Sequence, residues 1–309
     1  MKKNILYILP LMLLTLGFSS CDKDELKSES VITTDKIYKE NQFDKWLKRN
    51  YREPYNIDFK YRYEEIESDY NYYTVPADLE SSIIMAHLVK YLCVETYNEV
   101  ASVVFTRSYF PKMFYLIGTW EFRNNGSYIL GTAEGGKKIL LAGINELKDH
   151  LDDAEELNYY YIKTIHHEFT HILNQTRDYP TSFAQVTPGS YVNDSQFSEP
   201  YVDVYLKRGF ISAYAQTEPR EDFAEMMSEY VTHTKEWWDA QMAAANTKWS
   251  EDPNQTETGK ALIEQKLDIV RSYMNDAWGI DMDKLRDCIL RRQGDVVSGQ
   301  INLTDLTVD

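Results

Sequence analysis

Cysteine is scarce. The 309 residues contain three, Cys21, Cys93 and Cys288, and none has the spacing of a thiolate metal site. Positive charge is the next shortage: 33 Lys and Arg stand against 49 Asp and Glu, a net charge of -16. Nucleic acid and anionic lipid surfaces both demand basic patches, so no nucleic acid is expected as a partner, nor direct docking on lipid. Long apolar runs are missing too. The stretch from Ile5 to Phe18 is too short to span a bilayer comfortably. There is no internal repeat and no second domain boundary. What is present is a globular composition, 43% hydrophobic and 27% charged, in a chain long enough to bury a sizeable core. The 24 tyrosines belong mostly to that core or its rim.

The first residues read as an export signal. Lys2 and Lys3 supply the positive start, the apolar run follows, and Ser19-Ser20 precede Cys21. Residues 1-20 are therefore expected to be a signal peptide. Small residues before a cysteine at this place resemble a bacterial lipoprotein cleavage site, with Phe18 an imperfect feature. The resemblance implies lipidation at Cys21 and a lipid anchor to a membrane. Asp22-Lys23-Asp24-Glu25 resembles the surface-export signal of Bacteroidetes lipoproteins; the plainer reading is an acidic tether. Residues 21-38 are polar and read as a flexible tether, leaving 39-309 as the folded domain. Cys93 and Cys288 lie in apolar helical patterns and are expected as buried free thiols, although an exported protein could pair them.

Within the domain, the patterns alternate between periods. Asn41 to Tyr51 reads as a short helix, Ile57 to Tyr63 as a half-buried strand, and Asp78 to Val100 as a long helix. Met113 to Trp120, Tyr128 to Ala133 and Lys138 to Ala142 read as strands, with a hairpin turn at Asn124-Asn125-Gly126. An edge strand at Gly126 to Ala133 could pair with an extended peptide. Glu156 to Gln175 is helical. Thr176 to Thr217 is irregular, with one short helix capped by Ser198 and closed at Gly209. Glu218 to Thr232, capped by Thr217, is helical again, as are Ala261 to Trp278 and Met282 to Arg292.

One stretch carries the chemistry. His167-Glu168-Phe169-Thr170-His171 contains H-E-x-x-H, and residues four apart on a helix share a face. Both imidazoles can then bind one metal ion, with Glu168 beside them as a base for water. Ile162, Ile165, Phe169, Ile172 and Leu173 form an apolar stripe on the opposite side, so the helix can pack one face and offer the other. His166 points away from His171 and reads as structural.

A catalytic zinc takes three protein ligands. A third histidine six residues on is excluded, because Arg177 stands there and Asn174 replaces the required glycine. A carboxylate from a later helix is the alternative. Glu221 can bind the ion, and Glu225, one turn on, can accept the ring N–H of a ligand histidine. Glu218 and Glu229 lie nearby, and a solvated acidic face is the competing explanation.

The H-E-F-T-H string followed by Glu221-Asp222-Phe223-Ala224-Glu225 resembles the gluzincin metallopeptidases, particularly the anthrax lethal factor type. Those have a glutamate ligand, a second glutamate four residues on, and a tyrosine seven residues before the ligand; Tyr214 stands at that position. Together with Tyr55-Asn56-Ile57 and Gly131-Thr132-Ala133-Glu134-Gly135-Gly136, the strings resemble the zinc metallopeptidase lipoproteins of Bacteroidetes over most of the mature chain. The resemblance implies an α+β, zincin-like fold: a small mixed β-sheet packed on the H-E-x-x-H helix, then a helical C-terminal half. It implies Zn²⁺ on His167, His171 and Glu221, Glu168 as general base, Tyr214 as oxyanion donor and Glu225 behind a ligand histidine. It also implies a peptide or protein substrate, a TonB-dependent import complex as partner, and an outer-membrane, surface-exposed location, with the periplasmic face as the alternative. Two other readings compete: a non-catalytic zinc-holding accessory lipoprotein of such an import system, and a zinc hydrolase of non-peptide amides.

Overall fold

Asn41 starts the first helix by a reciprocal cap. Its side chain accepts from the Asp44 amide at 2.8 Å, and the Asp44 carboxylate accepts from the Asn41 amide at 2.9 Å. Helix α1 runs through Gln42–Leu47, a π-helical Lys48–Arg52 and Glu53–Tyr55, and ends where Asn56 turns left-handed at φ 55. The computed structural model describes residues 39–67, 71–122, 128–134 and 137–308. The expected signal peptide, Cys21, the tether, Asn124-Asn125-Gly126 and Gly135-Gly136 lie outside the described residues.

Strand β1 is Asp58–Lys60, shorter than the alternation from Ile57 to Tyr63, because only these three residues find ladder partners, Met113, Phe114 and Tyr115. Helix α2 begins after Asp78, whose carboxylate accepts from the Ser81 amide at 2.9 Å. It comprises Leu79–Leu88, a π-helical Val89–Val94 and Glu95–Val100. Helix α3 is Val103–Tyr109.

The main sheet has the order β1, β2 (Met113–Leu116), β6 (Lys138–Leu141), β5 (Gly131–Glu134). Strands β1, β2 and β6 are parallel, and β5 runs antiparallel to β6, so the sheet is mixed. Phe114, Tyr115 and Leu116 are all fully buried, as parallel strands covered on both faces require. The stretch expected as one strand from Tyr128 to Ala133 divides. β4 (Tyr128–Ile129) pairs with β3 (Glu121–Phe122) in a separate hairpin, while β5 joins the main sheet.

Helix α4 comprises Ala154–Leu157, a π-helical Asn158–Ile162 and Lys163–Thr176. Strand β5 lies hard against it. A Cβ at Gly131 would sit 2.7 Å from both Leu140 O and Thr164 Cγ2, so only glycine permits that approach. Ile162, Ile165, Phe169 and Leu173 are wholly buried, matching the expected stripe.

The segment after α4 is irregular, with 3₁₀ turns at Phe183–Gln185, Asn193–Ser195 and Tyr214–Gln216. The helix expected between Ser198 and Gly209 is not formed. Backbone bonds there mix three- and four-residue spans, such as Tyr201 N to Ser198 O at 2.8 Å and Arg208 N to Val204 O at 3.1 Å, and no continuous ladder results. Gly209 does end the segment in a left-handed conformation, φ 87.

Helix α5 is Pro219–Thr232. Thr217 does not cap it; its hydroxyl donates to Tyr214 O at 2.7 Å, and Glu218 occupies the cap position. Helix α6 (Lys235–Ala244), α7 (Gly259–Trp278) and α8 (Met282–Val297) complete the C-terminal half. Cys93 and Cys288 are both buried and free.

Candidate metal centre

Helices α4 and α5 cross the interior side by side in opposite directions. The pairings show it: as the α4 number falls through His171, His167 and Lys163, its α5 partner rises through Glu221, Glu225 and Glu229. The expected acidic flank of α5 is thus not a solvated face. Glu221, Glu225 and Glu229 are all buried.

At one end of this interface three ligating atoms converge. His167 Nε2 is 3.0 Å from Glu221 Oε2, His171 Nε2 is 3.1 Å from the same oxygen, and the two Nε2 atoms are 3.0 Å apart. Among the described residues this is the cluster of His, Cys, Asp or Glu whose atoms can hold a metal ion. Donors about 2.0–2.1 Å from a shared tetrahedral centre lie about 3.3–3.4 Å apart, a few tenths of an ångström wider than here. The chemistry fits as well as the spacing. Two imidazole nitrogens and a carboxylate oxygen facing one point bring three lone pairs together in a buried place, and a shared cation resolves that repulsion.

The electrostatics run the same way. Burial pushes Glu221 up, but His167 and His171 outweigh it and hold the carboxyl well below its usual range. Burial pulls His167 down, yet Glu221 and Glu225 raise it to about 10. A cation binding there competes with that proton.

The other expected residues are placed as follows. Glu225 Oε1 lies 2.8 Å from His167 Nδ1, close enough for the expected ring contact although not aligned well enough to count as a hydrogen bond by geometry. Glu168 is half-buried on α4 next to His167. The Tyr214 ring centroid is 5.9 Å from that of His167, and the residue is 38% exposed. Glu218 instead pairs with Arg220 at 2.8 Å, and Glu229 faces Lys163 and His233, so neither competes with Glu221. His166 is fully buried, with Nδ1 3.0 Å from Tyr97 Oη, and burial lowers it to about 3, consistent with a structural role.

Two residues that hold Glu225 are not marked by the sequence motifs. Lys163 sits one turn before His167 on the same face, but a lone lysine there reads as solvated. Ser212 donates to Glu225 Oε2 at 2.6 Å from the irregular segment, where no periodicity marks it.

Residues 36–283 match the family described as "putative zinc-binding metallo-peptidase". A crystal structure bearing the same description, from Bacteroides caccae ATCC 43185, is similar to this chain with a TM-score of 0.71 and 39% sequence identity. That match covers 86% of this chain and 96% of the other. No curated protein matches the chain. The family match spans every residue of the cluster and most of the fold around it, and the chain belongs to this family.

Proposed function

We propose that the protein is a gluzincin-type zinc metallopeptidase that hydrolyses peptide bonds. The convergence of His167 Nε2, His171 Nε2 and Glu221 Oε2 within 3.1 Å of one another carries the reading. His167, His171 and Glu221 would hold the ion. Zinc, when bound, supplies Lewis acidity toward a carbonyl group and toward water. Glu168, adjacent to His167 and partly open to solvent, takes the proton from the attacking water and delivers it to the leaving amine nitrogen. The Tyr214 hydroxyl donates a hydrogen bond to the oxygen that gains negative charge. Glu225 keeps His167 oriented with Nε2 toward the ion. Strand β5 is the edge of the main sheet, which favours an extended peptide laid along it as substrate.

The export residues support the rest of the reading. Cys21 would carry the lipid, anchoring the domain to the outer membrane at the cell surface, where it serves a TonB-dependent nutrient-import complex. A peptide-library digest tests the enzyme. The zinc-loaded parent should cleave, and Glu168→Gln should bind the same amount of zinc while losing roughly 10²-fold or more in turnover. A variant that cleaves as fast as the parent removes Glu168 from the reaction. A zinc-loaded parent that cleaves no peptide leaves the accessory or non-peptide reading in its place.

A further inference from the structure

Behind the metal cluster, charge alternates along the α4–α5 interface. Glu225 is gripped through both of its oxygens. Oε1 faces His167 Nδ1 at 2.8 Å, while Oε2 accepts from Ser212 Oγ at 2.6 Å and from Lys163 Nζ at 3.3 Å. Lys163 Nζ also reaches Glu229 Oε1 at 3.0 Å, and Glu229 Oε2 lies 3.1 Å from His233 Nδ1. Every member is largely buried; the Lys163 side chain is 17% exposed and that of Glu225 only 3%.

Two buried carboxylates one turn apart on α5 repel each other, and Lys163 stands between them. Its ammonium straddles the Glu225 carboxylate, 3.3 Å from Oε2 and 3.5 Å from Oε1, while the Ser212 hydroxyl holds Oε2, so the carboxylate is fixed and Oε1 stays on His167. We infer that Lys163 is a positioning residue for the metal centre: it fixes Glu225 so that His167 presents Nε2 to the ion. The inference rests on the zinc-site reading above. Lys163 touches neither the ion nor a substrate; it acts through Glu225.

The test is zinc affinity of the full chain, measured by chelator competition, beside thermal melting without metal. Lys163→Met should weaken zinc binding about 10- to 100-fold, the range for loss of groups that orient metal ligands. Lys163→Arg, which keeps the charge, should recover most of that affinity. Glu225→Gln with Lys163→Met should bind no more weakly than Glu225→Gln alone, because both act on one contact. A role confined to folding would lower the melting temperature without moving zinc affinity. If Lys163→Met fails to fold, Lys163→Met with Glu229→Gln removes the cation and one of its two anions together and carries the same expectation. Parent-like zinc affinity in a folded Lys163 variant, or losses that multiply in the Glu225 double variant, would overturn the inference while leaving the zinc site intact. A parent that binds no zinc would overturn the site reading as well.

Discussion

Glu221 and Asp222 are neighbours on α5, and the fold treats their carboxylates in opposite ways. Asp222 is fully buried with Lys266 Nζ 2.6 Å from Oδ2 and the Tyr191 hydroxyl donating at 2.9 Å. Its countercharge is part of the chain. Glu221 is also buried, but its Oε2 faces two imidazole nitrogens, and the exposed Arg220 reaches only its other oxygen, with Nε 3.8 Å from Oε1. Burial alone therefore does not mark a metal ligand. The partner does: a lysine completes one acid, whereas lone pairs around the other leave room for an ion.

The largest test of this contrast is on the completed pair. Burial pushes Asp222 up to about 6 and pulls Lys266 down, each against the attraction of the other. Lys266→Met should cost about 3–5 kcal/mol in denaturant unfolding, because it strands a buried acid. Adding Asp222→Asn should recover much of that loss. A Lys266→Met protein as stable as the parent would erase the distinction between the two acids.

The next effect is on the open cluster. Without metal, Glu221→Gln should cost no more than about 1–2 kcal/mol, the scale of a buried hydrogen bond. With zinc at about a hundred times its dissociation constant, the parent should gain about 2.7 kcal/mol, seen as a raised melting temperature, and the variant should lose that gain. A full zinc shift in the variant would show that Glu221 is no more a ligand than Asp222.

The smallest effect sharpens the comparison at a third acid. Glu67 meets Lys60 at 2.7 Å and Lys138 at 3.0 Å with 17% of its side chain exposed. Those lysines hold its carboxyl below the ordinary range. The unfolded chain then binds the proton first on acidification. The contribution is complete above the unfolded value near 4.5 and is lost as pH falls through it toward the lower folded value. In a partly solvated cluster it is worth up to about 1 kcal/mol. Glu67→Gln should flatten the fall in stability between neutral and acidic pH by that amount; an unchanged profile would remove Glu67 as a titrating contributor.

Local spacing made half of the site legible. His167 and His171 lie four apart on one helix, so their convergence needs no knowledge of the rest of the fold. Glu221 is 50 residues beyond His171, and spacing could not choose it over Glu218 or Glu229. Family resemblance selected it, and the pairing of α4 with α5 explains why. Lys163 was hidden because a lone lysine on a polar face looks solvated until a second helix covers it. Long helices with broad stripes, α4, α5, α7 and α8, were readable. Helix α6 was missed because only Trp238 and Met242 on it are buried, too thin a stripe to show a period. Strands suffered from brevity: the alternation after Ile57 runs beyond the three residues that find partners, and nothing in Tyr128 to Ala133 announces that one run serves two sheets.

The opposed course of α4 and α5 has one more consequence. Neither rod can grasp an ion alone with more than two groups, and the third arrives only once α5 has packed against α4. Metal uptake would then come late in assembly, sealing a finished interior rather than seeding it. A cobalt-substituted chain would acquire its full visible spectrum only at the last stage of refolding.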